Sequence, residues 1–219
     1  MDAEVLGVMD DIASVMSVAD PRIWPLKLGR VVAAYGNGLA AMAALTLAFD
    51  SDVLGPWTCR QSAQWLADLR ADLGPQLADP AAVEAAMFRR LERGDRLSGL
   101  GVPIRGQDER LVALGVCMQN RGRDQLPNWT LLQTVSEILY RRKKLRPNIG
   151  LGLSAACLDA GFVPAQIGYL VIALNQNVIV ANSFEGQAQA PAALRQLPAG
   201  SLHYKGRPPR TSPRAVRDR

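Results

Sequence analysis

Histidine is almost missing from this chain. Its 219 residues contain one, His203, beside three cysteines and only 5% aromatic residues. A single histidine leaves little room for histidine-based acid–base or metal chemistry. Three cysteines, an odd number without metal-ligand spacing, exclude a disulfide scaffold and a zinc cluster. The sequence also lacks an alternating apolar–polar stretch of strand length, and it lacks an internal repeat. The start, Met1-Asp2-Ala3-Glu4, does not carry the positive charge of a secretory signal, so the cytoplasm is the expected compartment. The longest apolar run, Val31 to Phe49, has the length of a membrane span but not its character. It is Ala-rich, holds Asn37 and two glycines, and leads straight into Asp50 and Asp52. It reads as a buried helix, and no membrane partner is expected.

What is present points to one globular unit. Hydrophobic residues make up 48% and charged residues 21% of the chain, ordinary values for a folded domain of this length. Ala and Leu, both strong helix formers, fill more than a quarter of it. The expected class is all-α. The net charge of +5 is unevenly placed: residues 1–20 are acidic, whereas 201–219 carry Lys205, Arg207, Arg210, Arg214, Arg217 and Arg219 against Asp218. This basic C-terminal tail reads as a solvated or subunit-contact arm, or as an element that binds nucleic acid. It has few aromatics to stack on bases, which disfavours nucleic acid as a partner.

Residues 2–17 have the apolar spacing of an amphipathic helix, through Val5, Leu6, Met9, Ile12 and Met16. Residues 22–49 form one or two buried helices with a break expected at Gly36-Asn37-Gly38, and 51–56 form a loop. A polar helix follows over 60–73. Asp79 as N-cap and Pro80 in the first turn open another, which Gly94 ends. Beyond a glycine-bearing segment at 95–106, helices are expected at about 107–119 and 130–144. The second ends in Arg141-Arg142-Lys143-Lys144, a run that complements the helix dipole. Pro147-Asn148 starts an apolar helix stopped near Gly161, and Pro164 opens a last long one to about Phe184.

Few residues offer chemistry. Gly99-Leu100-Gly101 is a short loop that lets backbone amides approach a ligand, or a plain turn. It is not a dinucleotide fingerprint, because no strand precedes it and the third glycine is absent. Arg105 and Arg110 follow and suit phosphate or carboxylate, with surface arginine as the plain alternative. Cys59 lies beside Arg60 in an expected loop, where the cation would lower its pKa. A Cys59–His203 pair would require the tail to fold back. Cys117 and Cys157 sit on apolar faces and read as core.

Four stretches, in order, resemble the citrate synthase family, above all its short citryl-CoA lyase-like members. Arg30-Val31-Val32-Ala33-Ala34, with the Ala-rich helix and Leu54-Gly55-Pro56-Trp57 after it, resembles the helix leading into the family's Gly-Pro-Leu-His-Gly-Gly turn. Gly99-Leu100-Gly101-Val102-Pro103 followed by Asp108-Glu109-Arg110 resembles Gly-Phe-Gly-His-Pro followed by Asp-Pro-Arg. Arg146-Pro147-Asn148-Ile149-Gly150, then Cys157-Leu158-Asp159-Ala160-Gly161-Phe162, resembles Pro-Asn-Val-Asp and its helix. Residues 172–185 end in Asn182-Ser183-Phe184-Glu185, where the family has a histidine before a glutamate. The tail Tyr204-Lys205-Gly206-Arg207-Pro208 is similar to the family's C-terminal arm.

This resemblance implies an N-terminally shortened, citrate-synthase-like helical domain over 1–200, with about 75–145 as a smaller subdomain and 201–219 as the tail. It also implies a reaction. The family runs a Claisen-type condensation or its reverse: an aspartate takes a proton from an acyl-CoA, one histidine polarises the thioester, and another serves the acceptor carbonyl. Carried over by position, the histidines fall on Thr58 and Val102 and the aspartate on Gly150. The carboxylate-binding arginine of the fourth stretch falls on Asn175 and its nearby histidine on Asn182, while Arg110 keeps its match as substrate-binding arginine. The leading expectation is therefore a non-catalytic paralogue or subunit. It would hold CoA or an acyl-CoA through Gly99, Gly101 and Pro103, with Arg105 near phosphate, and no tightly bound cofactor. One alternative is a divergent acyl-CoA-dependent acyltransferase or citryl-CoA-type lyase using Cys59, Asp108 and Arg110, or groups from a partner chain. Another is a helical structural or nucleic-acid-binding protein using the tail. The partner expected is a second copy or an intact paralogue, met through the Val31–Phe49 helix. Arginine at Ala41 or Ala44 would break that contact.

Overall fold

The computed structural model describes residues 2–17, 23–101, 106–191, 200, 203 and 205–206. Among the described residues ten α-helices follow one another: α1 Ala3–Met16, α2 Trp24–Ala33, α3 Gly38–Phe49, α4 Pro56–Leu73, α5 Pro80–Glu92, α6 Glu109–Asn120, α7 Pro127–Lys143, α8 Ile149–Asp159, α9 Pro164–Leu174 and α10 Gln176–Gln187. A 3-10 turn at Gly74–Ala78 joins α4 to α5. Among the described residues strands are absent, and only two isolated bridges occur, Ser51–Leu54 and Leu100–Pro147. The all-α expectation holds.

Helix starts follow local chemistry. The Asp79 carboxylate accepts from the Ala81 amide at 2.9 Å and Asn148 Oδ1 from the Gly150 amide at 2.9 Å, each satisfying a donor the helix itself leaves unpaired. The expected break at 36–38 is real: Gly36 takes φ +90 and Asn37 Oδ1 caps α3 through the Ala40 amide at 2.8 Å. Gly55, φ +82, has to be glycine, since a Cβ there would stand 1.8 Å from the Phe49 carbonyl oxygen.

Two apolar clusters result. The larger joins α1 and α4 through α9 around Leu66, Leu69, Met87, Leu114, Leu131, Leu151, Leu153 and Ile167. The smaller holds Leu26, Leu45, Phe49, Val178 and Ile179, from α2, α3 and α10. Small residues bring these three helices close. An added Cβ on Gly29 would meet Leu45 at 2.6 Å, and one on Gly186 would meet Ala33 at 2.7 Å.

Four sequence expectations need correction. The helix read as polar over 60–73 begins at Pro56 and packs into the larger apolar cluster. Its charged residues occupy one stripe, while Cys59, Ser62, Ala63, Trp65, Leu66, Leu69 and Leu73 are buried. The helix expected from about 130 starts at Pro127, because a distant group caps it. Asp159 Oδ1 accepts from the Asn128 amide at 3.0 Å and from Asn128 Nδ2 at 2.7 Å, and Oδ2 accepts from the Trp129 amide at 2.8 Å. The last long helix is two, α9 and α10, parted at Asn175. That buried side chain donates to the Val171 carbonyl at 2.8 Å and competes with the helical ladder there. Finally, Ala41 of α3 is fully buried within its own chain, so arginine there would damage the fold itself. The outward positions of α3 are Leu39, Ala43 and Leu47.

Candidate functional site

The first turns of α4 and α8 lie side by side, and the Gly99–Gly101 segment docks on α8. Ser154 ties the two helices: its hydroxyl lies 2.9 Å from the Cys59 carbonyl and 2.8 Å from that of Gly150, and donates into this pair of oxygens. A Cβ added to Gly150 would stand 3.1 Å from Asn148 Oδ1, 3.4 Å from Cys59 Sγ and 4.0 Å from Gly99 Cα. Gly150, the Thr58–Cys59 turn and Gly99 thus come together. Thr58 is nearly buried, and its hydroxyl donates to the Gly55 carbonyl at 2.9 Å. Val102, Pro103 and Arg105 lie outside the described residues.

The two flanking glycines differ in what they face. Gly99, φ +79, abuts α8 and α4: a Cβ would meet Leu151 at 2.8 Å and Ser62 Oγ at 2.9 Å. Gly101, φ +82, has open space where its side chain would be. It borders a cleft of about 590 Å³ lined also by Gly106, Gln107, Tyr140, Lys144, Leu145 and Arg146. Here the basic run at the end of α7 divides. Arg141 and Arg142 both pair with Glu84 on α5. Lys144 takes a left-handed conformation, φ 56, which turns the chain back over Tyr140. The Arg146 guanidinium then stacks 4.0 Å from the Tyr140 ring centre, with Lys144 Nζ at 5.0 Å. Sequence reasoning assigned this run, Lys144 included, to the helix dipole, placed Arg146 only in the third stretch of the resemblance, and passed over Tyr140. Their spacing after a helix end gave the only signal, and it becomes legible once the reversal is known.

Asp108 and Arg110 sit at the start of α6, against the start of α8. Asp108 is 2% exposed. Its Oδ1 accepts from Arg110 Nε at 3.0 Å and from the Arg110 amide at 3.1 Å. Its Oδ2 accepts from Arg110 Nη2 at 3.0 Å and from the Ile149 amide, at the start of α8, at 2.9 Å. Burial works against ionisation, but the Arg110 guanidinium and the Ile149 amide outweigh it and hold Asp108 below the usual carboxylate range. A carboxylate so engaged is a structural anion and a weak base.

Cys59 is a second correction at the site. It lies within α4 and not in a loop, and burial pushes its thiol up to about 12, against smaller opposing effects of Thr58 and Arg110. Cys157 is pushed up to about 12 as well, by burial and then by Cys59. Burial thus disfavours the thiolate at both positions, the opposite of what a reactive cysteine needs. In a thiol-labelling assay on the native chain, Cys117, which is partly exposed, is expected to react first, and Cys59 and Cys157 to remain unmodified until denaturant is added. Rapid labelling of Cys59 in the folded protein would contradict this burial.

Asn175 and Asn182 belong to another neighbourhood. Asn182 Oδ1 accepts from Arg30 Nε at 2.8 Å and its Nδ2 donates to the Val178 carbonyl at 2.9 Å. Arg30 also bridges to Glu185. This polar group fastens α2 to α10. Among the described residues no cluster of His, Cys, Asp or Glu suits a metal ion.

Ten helices arranged in this order, with a glycine segment seated on the start of α8, define a citrate synthase-like fold. The likeness is concrete at the level of single structures. The citryl-CoA lyase of Hydrogenobacter thermophilus superposes with a TM-score of 0.76 at 19% identity, over 99% of this chain and 83% of that one. The citrate synthase of Thermotoga maritima gives 0.66 at 14% identity, over 93% of this chain and 54% of that one. The ATP citrate lyase of Methanosaeta concilii, solved in complex with (3S)-citryl-CoA, gives 0.68 at 13% identity, over 99% of this chain and 36% of that one. At these identities the likeness is one of fold. No family model matches the sequence, and no curated protein aligns with it.

Proposed function

We propose that this chain is a non-catalytic, cytoplasmic citrate-synthase-like subunit that retains binding of CoA or an acyl-CoA. One observation carries the loss of catalysis: among the described residues, no free proton-transfer group stands where the α4 and α8 starts meet. Thr58 is bonded within its own turn, Gly150 has no side chain, Cys59 is held protonated, and Asp108 is locked to Arg110 and Ile149. Removing one acid–base group costs about 10²–10⁴ in rate. The retained binding draws on the cleft beside Gly101, where the open space left by a missing side chain lies beside a stacked tyrosine and two cations. That combination suits a phosphate-bearing, partly aromatic ligand. A neighbour in the fold holds citryl-CoA, which fits the same class.

Partnership belongs to the same proposal. Leu39 and Leu47 of α3 are 80% and 78% exposed and, with Ala43, recur every fourth residue. On α10, Val180 and Phe184 repeat the spacing. An apolar stripe of this kind marks a helix face that another chain covers. A second copy or an intact paralogue would cover it. Three unpaired cysteines are in keeping with a reducing compartment.

The test is direct. The purified chain, given acetyl-CoA and oxaloacetate, is expected to form no citrate above background, and calorimetry is expected to show weak, salt-sensitive uptake of CoA. A steady-state rate that disappears in Arg110→Ala would promote the divergent-enzyme reading. Absence of heat and of a thermal shift with millimolar CoA would remove the binding claim.

A further inference from the structure

Beyond the two that its carbonyl accepts from the Leu151 and Gly152 amides, Asn148 makes three hydrogen bonds in two directions. Its backbone amide donates to the Gly99 carbonyl at 2.9 Å. Its side-chain Nδ2 donates to the Gly101 carbonyl at 3.1 Å, and its Oδ1 accepts from the Gly150 amide at 2.9 Å. Gly101 in turn donates its amide to the Arg146 carbonyl at 2.8 Å. One amide side chain therefore spans the α8 start and the cleft wall. Its oxygen does the ordinary work of a helix cap. Its nitrogen does something a cap does not need: it fixes the carbonyl of Gly101, the glycine with open space toward the cleft.

We infer that Asn148 is a positioning residue for the ligand of the Gly101 cleft, setting the backbone edge of Gly101 against the Tyr140–Arg146 stack. This rests on the reading of that cleft as a CoA site. A short, branched side chain with one acceptor and one donor is needed, and asparagine supplies both at the right reach. Aspartate keeps the acceptor and the cap but presents an anion to the Gly101 carbonyl, where the donor was. Alanine loses both halves.

Asn148→Asp separates the two roles, because aspartate is as good an N-cap as asparagine. Three measurements on the full chain decide the proposal: melting temperature, amide exchange at Gly101 and Gly150 followed by NMR, and CoA affinity by calorimetry. In Asn148→Asp the melting temperature and the Gly150 amide are expected to stay as in wild type, exchange at the Gly101 amide to quicken, and CoA affinity to fall about tenfold. Asn148→Ala is expected to lower both the melting temperature and the affinity. Wild-type affinity in Asn148→Asp would overturn the proposal and leave Asn148 a simple cap. If the wild-type chain takes up no CoA, the binding reading fails by itself. Gly101 exchange then decides the positioning alone: quickened exchange supports it, and unchanged exchange overturns it.

Discussion

Asp108→Ala is expected to lower the stability of the chain by about 3–4 kcal/mol, with Asp108→Asn costing about half as much. The carboxylate is nearly inaccessible and receives four hydrogen bonds, two from the Arg110 side chain, one from the Arg110 amide at the start of α6, and one from the Ile149 amide at the start of α8. Alanine uncaps α6 and leaves a buried amide of α8 without a partner. Arg110 keeps partial access to water, which limits the cost of its lost charge partner. Asparagine retains one acceptor oxygen, hence the smaller effect. For a chain of this size the alanine variant should melt about 10 °C lower.

The pH dependence has a definite sign. Asp108 has a lower pKa in the folded chain than its unfolded value of about 3.9. Its ionised form therefore contributes stability that is fully present above the unfolded value. That contribution is lost as pH falls through the folded value. The stability gap between wild type and Asp108→Asn should be constant from neutral pH down to about pH 5 and close below pH 4. A gap that stays open in acid would show that the carboxyl group is not held as a buried anion.

Much of the frame was readable because it depends on near neighbours. Asp79–Pro80 opening α5, Pro147–Asn148 opening α8, and the Gly36–Asn37–Gly38 break all act within a few residues of themselves. The elements that escaped are those fixed by distant partners. The true start of α7 depends on Asp159, and the division of α9 from α10 on the buried side chain of Asn175. Burial of α4 depends on α8 and α9 flanking it, which no count of its polar residues reveals. The site divides the same way. Motif order singled out Thr58, Gly99 and Gly150 one by one, through the turns and helix starts that carry them. The Tyr140–Lys144–Arg146 arrangement could not be read in this way, because it exists only after Lys144 reverses the chain in a conformation that a lysine rarely adopts.

Leu47→Arg, at a position 78% exposed in the single chain, is expected to leave helix content and melting of the monomer unchanged while abolishing its pairing. Ala41, by contrast, is enclosed by its own chain, so arginine there would not separate pairing from folding. A two-fold contact through α3 places each substitution in the interface twice. An unpaired guanidinium in an apolar contact costs several kcal/mol, so two of them weaken association by well over 10³-fold. Sedimentation at micromolar concentration should show a dimer for the wild-type chain and a monomer for Leu47→Arg and Leu39→Arg. Arginine at Asp50, one residue past α3 and exposed, should leave the dimer in place. A wild-type chain that sediments as a monomer would rule out self-pairing. The same stripe would then have to be covered by a different citrate-synthase-like chain, and Leu47→Arg should abolish co-purification with it.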